Sequence, residues 1–310
     1  MGEGDPRCGY TRRLIPGGKP QERSHRTLLA PVCEPAVIHY LGMDRAALDA
    51  AYNNTAAVAN SAELLADFQV RSDSLRARQN QHLDLRYGTA ERNRIDYFAA
   101  DARGPVLVFI HGGYWQMRAK ENFSFLAAGP LAHGIHVAMV GYTLAPDISL
   151  GGIVAEVSAA VAWVAEHAGK FGGDAARIYT SGWSAGGHLT AMSLEEPAVK
   201  GGLAISGLYD LEPIRLCYLN DKLKLDPDES RRMSPLLQPA QSRKPLMIAY
   251  GGGELSELKR QSEVFAATRA RAGMPGKLVQ VPGHNHFTLL EELASAEGAL
   301  TALVRELLVL

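Results

Sequence analysis

Gly182-Trp183-Ser184-Ala185-Gly186-Gly187 follows directly on the strand-like run Arg177-Ile178-Tyr179-Thr180. Residues after the serine read as the start of a helix. A Gly-x-Ser-x-Gly pattern between strand and helix makes a turn so tight that the positions flanking the serine tolerate little side chain, hence glycine. Such a turn lifts the Ser184 hydroxyl above the sheet and aims the following helix N-terminus at it. An ordinary glycine-rich turn has the same letters, so the reading depends on partners elsewhere in the chain.

One partner lies upstream. Pro105-Val106-Leu107-Val108-Phe109-Ile110 is a short continuous apolar run rich in β-branched residues, as a buried parallel strand requires. It ends in His111-Gly112-Gly113-Tyr114-Trp115. Attack on a carbonyl creates an oxyanion, which preorganised backbone N–H groups stabilise. Gly112 and Gly113 are the candidate donors, with the Ala185 N–H as the third. His111 is expected to hold the loop through a side-chain hydrogen bond without transferring protons. Strand, serine turn and glycine loop together point to the α/β class and to the α/β-hydrolase fold: a mostly parallel central sheet, helices on both faces, and a small partial lid.

Serine needs a base, and the base needs an acid to orient it. In this fold the acid follows a late strand and the histidine comes after the last one. Pro245-Leu246-Met247-Ile248-Ala249-Tyr250 reads as a strand and opens into Gly251-Gly252-Gly253-Glu254-Leu255-Ser256-Glu257. Glu254 is the first acid beyond the strand. Glu257 competes, but its place on the next helix suits a solvated side chain. Lys277-Leu278-Val279-Gln280-Val281 is the last strand, followed by Pro282-Gly283-His284-Asn285-His286-Phe287. His286 is favoured over His284 because Asn-His-Phe precedes a helix start. His188 reads as packing on the helix after the serine. Asp210 could in principle reach a histidine, but a helix N-cap is the simpler reading.

These residues resemble the hormone-sensitive-lipase-like esterases and, more closely, the kynurenine formamidase (arylformamidase) group. That group is similar in showing His-Gly-Gly-Tyr-Trp, here 111–115, and Ser-Gly-Leu-Tyr-Asp-Leu-Glu-Pro, here 206–213. It also shows an acid shortly before Arg260-Gln261-Ser262, the pair His286-Phe287, and a segment like Tyr52-Asn53-Asn54. The resemblance covers roughly residues 37–310. It implies Ser184 as nucleophile, Glu254 as orienter, His286 as base, and Gly112, Gly113 and Ala185 as oxyanion donors. Glu254 stands where many members carry Asp, and Trp183 where many esterases carry Asp or His. Two enzyme activities are implied, an arylformamidase and a broader carboxylesterase for short-chain or aryl esters. A small-molecule receptor on the same fold is the alternative of another class, disfavoured because a histidine stands where such receptors lose it. Tyr114, Trp115 and Tyr209 are expected on loops rimming the pocket, where rigid rings would suit a flat aromatic ester or amide.

The rest of the chain bounds these readings. Residues 44–80 look mainly helical, with Ser61 a candidate cap, and stretches 83–88 and 93–98 flank a turn as an antiparallel pair. The helix over 153–167 places Ile153, Val157, Ala160, Val161 and Val164 on one face; the last helix does the same with Leu300, Leu303, Val304, Leu307 and Leu308. Residues 1–30 read as a flexible extension, 31–310 as a single domain, and 207–244 as a rim or lid insertion longer than a plain crossover needs. Lysine and arginine number 32 against 33 acidic residues, so neither nucleic acid nor an anionic membrane is an expected partner. The three cysteines, Cys8, Cys33 and Cys217, form no metal or disulfide pattern, which favours a reducing, cytoplasmic setting. No apolar stretch reaches the roughly 18 residues of a membrane span. No cofactor or metal is expected, and a homodimer stays open.

Overall fold

In β3 (Gly104–Ile110) all seven residues are buried. Alternation explains why an unbroken apolar run is needed. Leu107 and Phe109 enter a core on one side of the sheet, whereas Val106 and Val108 enter a core on the other. The computed structural model describes residues 40–238 and 242–310. The extension expected over 1–30 lies outside the described residues.

Around β3 stand β1 (Leu85–Arg86), β2 (Arg94–Phe98), β4 (His136–Val140), β5 (Gly173–Trp183), β6 (Val199–Ile205), β7 (Leu246–Gly251) and β8 (Gly276–Val281). Their spatial order is β1-β2-β4-β3-β5-β6-β7-β8. β1 and β2 are antiparallel, as the sequence suggests, and β2 is antiparallel to β4. Every pairing from β4 through β8 is parallel. The antiparallel pair is shorter than expected at its first strand, where only two residues pair.

Helices cover both faces. Leu150–His167 buries Ile153, Val157, Ala160, Val161 and Val164, the stripe its periodicity predicts. On the other face Ala299–Leu307 buries Leu300, Leu303, Val304 and Leu307. Leu308, expected on that stripe, caps the helix and is only partly buried. The N-terminal region is helical over Arg45–Ala51, Asn54–Ala57 and Ser61–Arg78. Ser61 does not cap the third of these: Asn60 occupies the cap position, and Ser61 Oγ donates to the Thr55 carbonyl.

Between β6 and β7 run short helical segments, Glu212–Leu216, Asn220–Leu223, Pro227–Arg232 and Pro235–Leu237. Within this stretch Leu208, Leu211, Ile214, Leu219 and Leu223 share a core with Tyr114, Trp115 and Ala185. The segment is therefore packed onto the serine end of the sheet. Among the described residues no helix is long and apolar enough to cross a membrane.

Candidate active site

Parallel register brings the two glycine-rich loops side by side. Ile110 pairs with Gly182 and Trp183 with Ile205, so the chain leaves β3, β5 and β6 at one edge of the sheet. Ser184 sits at that edge with φ 59° and ψ −118°, outside both helical and strand geometry, and caps the helix Ala185–Ser193. Its N–H donates to the Ile205 carbonyl at 2.8 Å, which pins the turn to β6. A side chain on Gly182 would meet the Gly186 carbonyl oxygen at 2.3 Å, and one on Gly186 would meet the Ile110 oxygen at 2.0 Å. The elbow closes only because both positions are glycine, and a strained non-glycine residue at its apex is characteristic of a functional turn.

The His-Gly-Gly loop lies directly against the serine. A Cβ on Gly112 would stand 2.7 Å from the Trp183 carbonyl oxygen and 3.1 Å from Ser184 Cβ. Gly113, Tyr114 and Trp115 then follow with φ of 108°, 49° and 60°. Three left-handed residues in a row reverse the chain, and no described backbone acceptor takes the Gly112 or Gly113 N–H. The Ala185 N–H, at the first turn of its helix, likewise has no partner within that helix.

His286 and Glu254 meet. His286 Nδ1 lies 2.9 Å from Glu254 Oε2, and both residues are buried. Glu254 is itself fixed: Oε1 accepts from Ser206 Oγ at 2.5 Å and from the Gly251 N–H at 2.7 Å. A carboxylate so held can accept a hydrogen bond from Nδ1–H, which fixes the ring and leaves Nε2 without a partner in this pair. Trp183, next to the serine, donates its indole N–H to the His286 carbonyl at 2.9 Å, and the two rings lie 4.7 Å apart. Histidine and serine are thus tied to one residue. Ser184 Oγ makes no hydrogen bond to a described residue; in unliganded sites such bonds are often long and tighten only around substrate.

The competing acids and histidines have other partners. Asp210 accepts from the Tyr40 hydroxyl and from the Glu212 N–H two residues on, so it closes a local turn. Glu257 is on the helix Ser256–Arg271 as expected, but it is not solvated. It is buried, holds Arg260 through two nitrogens and accepts from the Tyr52 hydroxyl. His284 bonds the Thr288 carbonyl and faces Glu292 at 3.2 Å. His188 is wholly buried, bonded to the Met233 carbonyl. His111 contacts the Gly112 carbonyl at 2.7 Å and stacks on Tyr142. Burial pushes both His111 and His188 down to about 4, so each is neutral near pH 7.

The aromatic rim takes a different form from the one expected. Trp115 is fully buried with its ring edge-on to His188, and Tyr209 is fully buried, stacked 4.3 Å from Phe265. Both rings lie in the interior, where their area contributes more to the core than it would at a wet rim. Tyr114 is also buried, its hydroxyl donating to the Tyr52 carbonyl at 2.6 Å and accepting from Asn54.

Two features escape a reading of the sequence alone. Ser206 is one; its place just beyond β6, at the head of Ser-Gly-Leu-Tyr-Asp, is the available signal. The other is a buried polar cluster centred on Gln261. Gln261 accepts from the Tyr209 and Asp210 N–H groups and donates to the Tyr52 hydroxyl and the Asp210 carbonyl. Motifs far apart in sequence are here one hydrogen-bonded unit behind the site.

The chain is similar to known proteins. The BD-FAE family profile matches residues 97–198. The kynurenine formamidase of Salmo salar is 32% identical over 244 residues, covering 73% of this chain and 81% of its own. The isoprenylcysteine alpha-carbonyl methylesterase of Arabidopsis thaliana is 28% identical over 238 residues, 66% of this chain and 56% of its own. A crystal structure of a candidate thioesterase from Silicibacter sp. matches at 30% identity with a TM-score of 0.76, covering 83% of this chain and 98% of that one. With a kynurenine formamidase 32% identical to it and covered over 81% of that relative's length, the chain belongs to the kynurenine formamidase family of α/β-hydrolase enzymes.

Proposed function

We propose that this enzyme cleaves an aryl formamide or carboxylic ester through a covalent acyl-enzyme on Ser184. The observation that carries the reading is the 2.9 Å contact between His286 and an anchored Glu254, beside the strained serine turn. Ser184 Oγ attacks the scissile carbonyl carbon while its proton passes to His286 Nε2. Glu254 holds the imidazole and stabilises its charged form. The N–H groups of Gly112, Gly113 and Ala185 receive the oxyanion, and each such donor is worth roughly 2.7–4 kcal/mol in the transition state. Collapse breaks the bond to the leaving amine or alcohol, which takes the proton back from His286. Water then attacks the acyl group by the same route and frees Ser184.

An aryl formamide is favoured as substrate because the relative with the highest identity reported above is a kynurenine formamidase. Broader carboxylesterase activity is the second reading. The methylesterase relative supports it, and so does the inward placement of Trp115 and Tyr209, which removes one reason to expect a flat aromatic substrate. A cytoplasmic setting rests on cysteine use alone, with Cys217 a buried free thiol.

Ser184→Ala should lower kcat at least about a thousandfold with its melting temperature close to that of the parent. A fluorophosphonate probe should label the parent and not the variant. Turnover surviving in the variant would remove the serine mechanism. Rates on N-formylkynurenine and p-nitrophenyl acetate separate the two substrate readings.

A further inference from the structure

The loop carrying Gly112 and Gly113 does not end at Trp115. Gln116 and Met117 N–H groups turn back to the Gly113 carbonyl at 2.9 and 3.1 Å. Arg118 follows with φ 76°, and its own carbonyl is held by Arg92. This folds the Arg118 stem onto the glycine loop: a Cβ on Gly113 would lie 2.9 Å from Arg118 Cγ. Gly113 adjoins Gly112, which in turn abuts Ser184. The Arg118 stem therefore lies against one of the two glycines proposed as oxyanion donors.

That guanidinium is half-buried and has no hydrogen bond, ion pair or aromatic ring among the described residues. Other partly buried arginines are paired, Arg71 with Glu291, Arg215 with Glu212 and Arg260 with Glu257. Burial lowers the Arg118 pKa from its ordinary value, and no neighbouring charge offsets the effect. A cation withdrawn from water without a counter-charge is costly. Such a group, carried on the loop of the proposed oxyanion donors, is suited to a partner that arrives with the ligand. Guanidinium presents a planar fork that matches a carboxylate through two parallel hydrogen bonds. Neighbouring Met117 is 45% exposed and supplies an apolar contact next to it.

We propose that Arg118 is a specificity-determining residue, receiving a carboxylate that the substrate carries away from its scissile carbonyl. The proposal rests on Ser184 as the reacting group, and it narrows the substrate class to formamides or esters of acids. Neutral substrates of the same shape lack this anchor.

The test compares the parent with Arg118→Gln and Arg118→Lys on two matched pairs. One pair is N-formyl-L-kynurenine and neutral formanilide. The other is 4-acetoxyphenylacetic acid and neutral 4-ethylphenyl acetate, so that in both pairs the carboxylate sits on the leaving group. The expected result is a fall of about tenfold or more in the preference for the acidic member, carried by KM, in Arg118→Gln. Arg118→Lys should recover part of that preference, having the charge without the fork. An unchanged preference, or an equal loss on both members, would overturn the proposal. If the parent cleaves esters and not formamides, the formamidase reading fails while the ester pair still decides Arg118. Calorimetric binding of L-kynurenine to each protein gives a readout without turnover, with affinity expected to weaken about tenfold in Arg118→Gln and equal affinity counting against the proposal.

Discussion

At the scale of single residues, the proposed acid is distinguished by how it is held. Glutamate has one more rotatable bond than aspartate, so an orienting Glu254 needs more restraint. Ser206 Oγ and the Gly251 N–H supply it, both on Oε1, leaving Oε2 for His286. Ser206 itself has φ 49°, a cost the surrounding structure bears to aim that hydroxyl. Ser206→Ala removes one of the two restraints while the backbone donor persists. A hydrogen bond to a charged group contributes about 1.5–3 kcal/mol, and part of it is retained here, so kcat should fall on the order of tenfold. KM should move little, because Ser206 is argued to act through Glu254. The pH profile of kcat/KM should also shift, which loss of packing alone would not produce. Steady-state kinetics across pH check both, and a normal profile with normal kcat would leave Ser206 a merely structural residue.

At the scale of elements, the Gln261 side chain joins the helix Ser256–Arg271 to the loop after β6 and to Tyr52. All four of its hydrogen bonds are internal. Gln261→Ala would leave one buried and one partly buried N–H group without acceptors, and a fully buried one costs about 1–3 kcal/mol. Urea denaturation should show a loss on the order of 2–5 kcal/mol, and kcat should drop as the Ser206 loop loosens. A loss below about 0.5 kcal/mol, the size of an ordinary surface change, would show that the cluster is not what fixes the loop. This scale also marks where sequence reading stops. The elbow, the glycine loop and the helix stripes are legible because steric limits and periodicity are local. His136–Val140 gives no comparable signal: a histidine followed by four apolar residues is too short to separate strand from helix. Its insertion between β2 and β3 follows from crossover geometry that no local pattern encodes. Burial of Trp115, Tyr209 and Glu257 is likewise a tertiary outcome. Their residue types fit a rim or a surface equally well until the loops fold inward.

At the scale of the whole molecule, the same burial that neutralises His111 and His188 links stability to pH. Each imidazole is pushed down to about 4 from the ordinary 6.5, chiefly by desolvation, and burial moves His136 the same way. Between pH 6.5 and 4 the unfolded chain takes up these protons and the folded chain does not. Stability is therefore complete above pH 6.5 and declines as pH falls, at about 1.4 kcal/mol per pH unit for each such group. Below about 4 both states are protonated and the loss stops growing. Carboxylates act in a lower window. Asp84, held below its ordinary value by Lys120, and Glu212, held low by Arg215, lose their contributions only as pH drops below about 4. Urea midpoints measured from pH 7 to 5 thus isolate the histidines. His188→Leu gives up the bond to the Met233 carbonyl and should be less stable at pH 7, yet its midpoint should fall less steeply between pH 6.5 and 5. Parallel slopes in variant and parent would mean that His188 takes up its proton as readily in the folded chain as in the unfolded one, contrary to its burial against Trp115.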